Sequence, residues 1–232
     1  MPLPYKTMLV VAALVCVNSF AASTSSGDCV ININESEGNL SLGDSCVVNL
    51  NDGGSVGFLD LSEQAQANLF GGSSVNFLSL FENSHANLFE NTEVSFMSVF
   101  DQASASVYDD ATLFVTDVND QAHVDFFGGE MTALELFDQS SANLYQVDLL
   151  SIIISPDAEV TLFGTEFSYF EGLLSGVWGD GSSFSIETFV DGVPTGDTLP
   201  SNFILAPVPV PSALVLFGSG LVVLVRLKRR TD

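Results

Sequence analysis

The sequence predicts an all-β fold, a parallel β-helix or solenoid, from three observations. The chain repeats itself every 17–19 residues, apolar and small polar residues alternate within each repeat, and aromatic residues recur at the same spacing. A fixed period of this kind indicates a repeat architecture in which each unit buries its apolar face against its neighbours. We expect seven to eight coils between residues 28 and 163, which at about 4.8 Å per coil would stack to about 35 Å.

The repeat is clearest at residues 67–70, which read Ala-Asn-Leu-Phe and recur at 86–89. Strict alternation of apolar and polar residues has the period of a strand, and it is evident at residues 75–81 and 94–100. The corners of the coil are predicted at Gly71-Gly72, Glu90-Asn91, Asp109-Asp110 and Gly128-Gly129. The residues expected in the inward ladder are Val56, Val75, Val94, Leu113, Met131 and Leu150.

One position of the repeat is aromatic in six consecutive coils. Its residues are Phe70, Phe89, Tyr108, Phe127, Tyr145 and Phe163. Stacked aromatic residues bury a large area and fix the register, so we favour a role in packing the wall of the solenoid. The alternative for such a stripe is a platform on which sugars stack.

Cys29 and Cys46 are 17 residues apart, which matches the first step of the repeat. Stacked neighbours lie about 4.8 Å apart, within the usual Cα range of a disulfide. We therefore predict a Cys29–Cys46 bridge that joins the first two coils. The alternative is a pair of free thiols.

An acidic residue recurs at one position of nearly every coil, at steps of 18 or 19 residues. These residues are Asp44, Glu63, Glu82, Asp101, Asp120, Asp138 and Asp157, and an amide ladder follows directly at Gln64, Asn83, Gln102, Gln121 and Gln139. Stacked carboxylates repel one another unless they splay into water, take up protons or bind cations. We favour solubility as the role of this charge, so that no cofactor is required. The alternative is cation binding, with a Ca²⁺ ladder at Glu63, Glu82, Asp101, Asp120 and Asp138, because Ca²⁺ prefers oxygen ligands.

The repeat fades after Phe163. Residues 173–186 resemble a hairpin with Asp180-Gly181 at its turn, so residues 164–194 are predicted to form a β cap over the open end of the solenoid. Residues 195–207 are then expected to be a linker.

Charge and composition exclude several functions. The net charge is −24, and no Lys or Arg occurs between Lys6 and Arg226. Such a body repels phosphate backbones, so we expect no nucleic-acid partner. No catalytic set is evident either: His85 and His123 are two coils apart, too far for one metal ion. We expect a protein that is not an enzyme. A glycan hydrolase, which needs only two carboxylates, is the less favoured alternative.

Both ends have the composition of targeting segments. Lys6, the apolar run at residues 8–17 and small residues at Ser19 and Ala21 predict a helical secretory signal peptide at 1–21. Near the C-terminus, residues 213–225 are apolar and Arg226, Lys228, Arg229 and Arg230 follow. A helix over that run would be about 20 Å long, short of a hydrocarbon core of about 30 Å. We predict a short transmembrane segment with its basic end in the cytoplasm and the acidic body outside. The alternative to a tail that is processed after export is an ordinary single-span anchor.

The C-terminal tail at residues 208–230 resembles a PEP-CTERM sorting signal, and more closely its Val-Pro-x-Pro-Ala variant. The residues that carry the resemblance are Val208, Pro209, Pro211, Arg226, Arg229 and Arg230, with Leu-Phe-Gly-Ser-Gly-Leu at 216–221 between them. Val210 replaces the Glu of the commonest form, and Ser212 stands where the variant has Ala. The resemblance implies processing by a membrane-embedded cysteine transpeptidase, an exosortase, in a Gram-negative bacterium that makes extracellular polysaccharide.

The sequence therefore predicts an exported structural or adhesive protein of the cell surface, extracellular matrix or biofilm. Its expected partners are the secretion machinery, an exosortase, the membrane, and either extracellular polysaccharide or other copies of itself. The alternative function is a Ca²⁺-dependent polysaccharide-binding module.

Overall fold

The computed structural model describes residues 29–208, which fold into strands, turns and irregular segments without a helix. Within that range no helix is long and apolar enough to cross a membrane. The predicted signal peptide, the apolar segment at 213–225 and all of the sorting-motif residues except Val208 lie outside the described residues.

The solenoid is confirmed, with about seven turns, each built from a short and a long strand. The short strands are β1 (Val30–Ile33), β3 (Val47–Leu50), β5 (Gln66–Leu69), β7 (His85–Leu88), β9 (Ser104–Val107), β11 (His123–Phe126) and β13 (Ser141–Leu144). The long strands are β2 (Ser36–Leu42), β4 (Ser55–Leu61), β6 (Ser74–Leu80), β8 (Glu93–Val99), β10 (Thr112–Val118), β12 (Glu130–Leu136) and β14 (Asp148–Ile154). Each strand pairs in parallel with its equivalent one coil away, as at Ala67↔Ala86 and Leu59↔Leu78.

Each long strand bends at its third residue. In β8 the burial pattern is exposed, buried, exposed, exposed, buried, so that Ser95 and Phe96 both face outward. The third residue is also skipped in the pairing register of every long strand. Two tight turns and this bend give the coil three corners, and outward side chains before and after the bend form separate faces.

The core is a set of apolar columns that run along the solenoid axis. Val56, Val75, Val94, Leu113 and Met131 are buried as predicted. Leu150 is an error of the sequence analysis: it is 60% exposed, and the inward residue is Leu149, which pairs with Met131. The connection from β13 to β14, residues 145–147, has one residue fewer than most earlier connections of this kind, and a slip of one residue moves a strand's side chains to the opposite face.

The C-terminal end of the solenoid carries the predicted hairpin. β16 (Leu173–Trp178) and β17 (Ser183–Val190) are antiparallel, and their turn contains Asp180 and Gly181. β15 (Glu159–Phe170) pairs with β13 at its start and with β16 further along. β17 also pairs with β14, which places the hairpin on the last coil.

The segment expected to be a linker, residues 195–207, instead contributes to the sheet. β18 (Val193–Pro194) precedes it, and β19 (Phe203–Ala206) pairs in parallel with the first half of β15. Phe203 is buried, and Asn202 donates its side-chain amide to the backbone oxygens of Ser155 and Ala158. The repeat does not predict the burial of Phe203, because this residue lies outside the repeat.

Cys29 and Cys46 form the predicted disulfide, with Cα atoms 4.5 Å apart. Val30 pairs with Val47 immediately after the bridge. The bond therefore joins the edge strand β1 to β3 at the start of their shared ladder.

Candidate functional site

The acidic corner ladder is formed, and its residues share an unusual backbone conformation. The residues with a left-handed backbone at this corner are Asp44, Glu63, Glu82, Asp101, Asp120 and Asp138, with φ between 54° and 59°. Backbone hydrogen bonds hold the corner in register, since the Gln102 N–H donates to the Glu82 oxygen at 2.9 Å. Asp tolerates the left-handed region better than most residues other than Gly and Asn.

Carboxylates of this ladder bind backbone amides of the preceding coil. Asp101 accepts a hydrogen bond from the Glu82 N–H at 3.0 Å, and Asp120 accepts one from the Asp101 N–H at 3.1 Å. Glu63 accepts from the Asp44 N–H in the same way. An acidic side chain here therefore satisfies a turn N–H group, which is a structural reason for the repeat of carboxylates.

The metal ladder stays a prediction. No group of three or more His, Cys, Asp or Glu residues within 29–208 is arranged to hold a metal ion. The amide residues that follow the acidic ones are exposed, and the described side-chain hydrogen bonds do not include Gln64, Asn83, Gln102, Gln121 or Gln139. The oxygens that could bind Ca²⁺ here would come from the corner carboxylates.

An amide ladder that the sequence analysis missed runs along the short strands. Asn49 donates its side-chain amide to Asn32, Asn68 donates to Asn49 and Asn87 donates to Asn68, each at 3.0 Å. The recurring Asn of the Ala-Asn-Leu-Phe repeat carries the signal for this ladder, although strand alternation alone requires only that the position be polar. Each amide in the stack satisfies the next, as in other stacked sheets.

The two histidines continue this polar face and lie in separate coils, as expected. The side-chain NH₂ of Asn87 donates to Asn68, which leaves the Asn87 oxygen to accept from His85 Nε2 at 2.9 Å. His85 Nδ1 then accepts from the Ser104 hydroxyl at 2.9 Å. His123 Nε2 donates to Asp125 at 3.1 Å, while its Nδ1 accepts from Ser141 at 2.8 Å. Gln66, His85, Ser104, His123 and Ser141 form one in-register column.

Ser141, His123 and Asp125 resemble the nucleophile, base and acid of a catalytic triad. They lie on the outer face of parallel strands, where the backbone amides already donate to the neighbouring strand. Nucleophilic catalysis needs donors aimed at a developing oxyanion as well as a Ser–His pair. We therefore assign His123 to the polar network of the sheet.

The predicted aromatic ladder is formed by rings stacked face to face. Neighbouring centroids from Phe70 to Phe163 lie 4.4–5.3 Å apart, and the ring planes differ by 3–11°. Each ring covers the face of the next, so the ladder presents ring edges to solvent. Sugars stack on ring faces, and the ladder therefore supports wall packing rather than a sugar platform.

A second aromatic column was missed by the sequence analysis. Phe58, Phe77 and Phe96 stack on the outer face of the long strands, with centroids 4.7 and 5.2 Å apart. The stack ends at Phe114, whose ring is tilted by 80° against Phe96 at 5.9 Å. Val115, rather than Phe114, pairs with Phe96, so Phe114 sits at the bend of its strand and outside the column of stacked rings. It is 55% exposed.

A groove of about 500 Å³ lies beside Phe114 and crosses the long strands β8, β10, β12 and β14. Glu93, Glu130 and Asp148 stand along one side, each the first residue of its strand. Phe114 and Leu150, each the third residue of its strand, stand along the other. Ser185 of the hairpin cap also lines it. A volume of this size is typical of small-ligand sites.

Two carboxylates, Asp117 and Glu135, are stacked on adjacent coils outside this groove. Burial raises the pKa of Asp117. Burial, and then the Asp117 charge, raises the pKa of Glu135. One Asp117 oxygen is buried without a hydrogen-bond partner among the described residues. At neutral pH the two neighbouring negative charges destabilise the fold locally, because the body has no Lys or Arg to offset them.

The fold and these surfaces define a parallel β-solenoid with a capped end and a lateral groove. Comparison of the chain with protein-family models, curated proteins and solved structures finds no match.

Proposed function

We propose that this protein is an exported structural or adhesive component of the cell surface or extracellular matrix. It is delivered through its N-terminal signal and processed by an exosortase-type system at its C-terminal sorting motif. The disulfide between Cys29 and Cys46 carries the proposal, because a structural disulfide forms and persists in oxidising compartments outside the cytoplasm.

The body of the protein supports the same proposal. Its coils form a continuous ladder in which each repeat contacts its neighbours, and such arrays make stiff, extended modules. No Lys or Arg interrupts the acidic surface between Lys6 and Arg226, which favours dispersion and disfavours contact with other polyanions. A stiff acidic spacer with stacked aromatic walls is suited to a structural role at a surface.

Localisation of the full chain in cells, combined with a count of its free thiols, tests the proposal. We expect surface-accessible protein with no free thiol, because Cys16 leaves with the signal and the other two cysteines are bonded. A variant that lacks the apolar run at 8–17 is the matched control and should stay in the cytoplasm with reactive thiols. Protein found only in the cytoplasm of the unaltered strain would overturn the proposal.

The sorting motif has its own test within the same experiment. Replacing Pro209 and Pro211 by Ala leaves the described body unchanged and alters the proposed processing site. We expect an uncleaved precursor to accumulate in the membrane fraction. Normal processing and release of this variant would remove the exosortase step from the proposal.

A further inference from the structure

We propose that the groove beside Phe114 binds a neutral glycan chain. This inference rests on the proposed adhesive function in one respect, which is that export brings the protein near extracellular glycans. Binding itself is a property of the purified chain and is measured separately from export.

The first argument concerns the ring of Phe114. In the two ladders above, rings present their edges because their faces are covered by neighbouring rings. Phe114 departs from this pattern, since it is perpendicular to Phe96 and the third position of the following strand is Thr132. The ring is 55% exposed and borders the groove, where the C–H groups of a sugar ring can pack on it.

The second argument concerns the polar groups opposite Phe114. Glu130 pairs in register with Asp148, and Glu93 lies two coils earlier in the same row with Thr112 between them. Carboxylates accept hydrogen bonds from hydroxyl groups, and Thr112, Thr132 and Ser185 add hydroxyls that both donate and accept. A polyhydroxylated ligand matches this combination of an apolar face and dense acceptors.

The charge of the groove selects among polyhydroxylated ligands. Its side chains include three acidic residues and no basic one, and the body around it is acidic. An anionic chain such as a polyuronate or a nucleic acid would be repelled at this site. The ligand class is therefore neutral glycans.

The shape of the groove favours a chain over a single sugar. It follows the solenoid axis across four long strands, which at about 4.8 Å per coil is about 14 Å of length. A groove of this length has room for more than one sugar ring. Ser185 marks the end of the groove at the hairpin cap.

The test is isothermal titration calorimetry of the purified full chain with cellohexaose, maltohexaose and xylohexaose, and with a galacturonate oligomer for charge. We expect at least one neutral oligosaccharide to bind and the galacturonate oligomer to give no signal. Phe114→Ala should weaken binding about tenfold, since a stacked ring contributes on that order. Phe58→Ala, which removes a stacked ring outside the groove, should bind as the unaltered chain does. Glu130→Gln should weaken binding severalfold, with Glu159→Gln as the matched control.

The proposal is overturned if none of the three neutral oligosaccharides binds, if Phe114→Ala binds as tightly as the unaltered chain, or if the galacturonate oligomer binds equally well. Heat with Ca²⁺ alone and none with the oligosaccharides would also overturn it. Export and surface exposure would stand in each of these cases, so the two proposals fail independently. The melting temperature of each variant confirms that it is folded.

Discussion

The backbone N–H of Glu82 donates a hydrogen bond to the side chain of Asp101, one coil further along, at 3.0 Å. The same contact joins Asp101 to Asp120 at 3.1 Å. Both donors belong to turn residues with a left-handed backbone. The acidic repeat is thus connected to the geometry of the corner, and this connection can be tested by separating charge from hydrogen bonding.

Asp101→Ala is expected to lower the free energy of unfolding by about 1 kcal/mol, because the Glu82 N–H loses its acceptor at an exposed site. Asp101→Asn keeps an oxygen acceptor and a residue suited to the left-handed backbone, so its effect should be smaller. Urea unfolding of the full chain measures both. Equal loss in the two variants would show that the charge itself matters.

The Asp101→Asn variant also tests the predicted Ca²⁺ ladder. If Ca²⁺ bridges the corner carboxylates, it raises the melting temperature of the unaltered chain, and removal of one carboxylate reduces that rise. Thermal unfolding with and without Ca²⁺ gives the answer. No rise in the unaltered chain would leave the backbone contacts as the sufficient reason for the ladder.

The sequence predicted the acidic ladder but not the backbone contacts that its carboxylates make, and the difference has a physical cause. A column that repeats at the coil spacing is visible in one dimension, which is why the Cys29–Cys46 pair and the Phe70 ladder could be placed. The direction of a carboxylate toward an amide of the preceding coil depends on turn conformation, which the spacing does not report. The groove was hidden for a similar reason, since Phe114 borders it only because β10 bends at its third residue.

The disulfide should stabilise the N-terminal coil specifically. Removing it with Cys29→Ser and Cys46→Ser is expected to cost about 3 kcal/mol on the chain-entropy estimate for a loop of this length. Stability in repeat arrays is carried by neighbouring coils, so the loss should be greatest at β1 and β2. Hydrogen exchange at residues 30–42 should accelerate while exchange at 85–99 changes little. A uniform acceleration would show that the whole solenoid unfolds as one unit.

The raised pKa of Asp117 makes the stability of the fold depend on pH. Its folded-state pKa is raised, so the folded chain holds the proton more tightly than the unfolded chain, and this contribution is lost as the pH rises from the ordinary carboxyl range through the raised pKa. At neutral pH, Asp117→Asn should therefore raise the free energy of unfolding by up to about 1 kcal/mol, because a buried amide costs less than a buried carboxylate and does not repel Glu135. Unfolding curves at pH 4 and pH 7 should show the gain only at the higher pH.

Asp60→Asn is the matched control for Asp117. Asp60 occupies the same position of its long strand, but its neighbours in the column are Ser41 and Ser79, and the Ser41 hydroxyl lies 3.4 Å from its carboxylate. No stacked charge is relieved by its replacement. An equal gain in both variants would attribute the effect to overall net charge rather than to the burial of Asp117 and its contact with Glu135.

The asparagine ladder should be sensitive to the loss of a donor at its centre. Asn68 donates to Asn49 and accepts from Asn87. Asn68→Asp keeps the acceptor but places a carboxylate against the Asn49 oxygen, and we expect a loss of about 1–2 kcal/mol. Asn68→Ser, which shortens the side chain without adding charge, should cost less. Thermal unfolding at pH 7 compares the two variants. An Asn68→Asp variant as stable as the original chain would show that the asparagine ladder does not contribute to stability.

The register of β14 decides which of two adjacent leucines supports the core. Leu149 is 3% exposed and packs inside the solenoid, whereas Leu150 is 60% exposed at the edge of the groove. Leu149→Ala should cost about 2–5 kcal/mol, as for other large-to-small changes in a core, and Leu150→Ala should stay within about 0.5 kcal/mol of the original chain. The reverse order in urea unfolding would restore the register that sequence counting gave, and it would move Leu150 out of the groove. Because both substitutions are chemically identical and adjacent, their difference isolates the register.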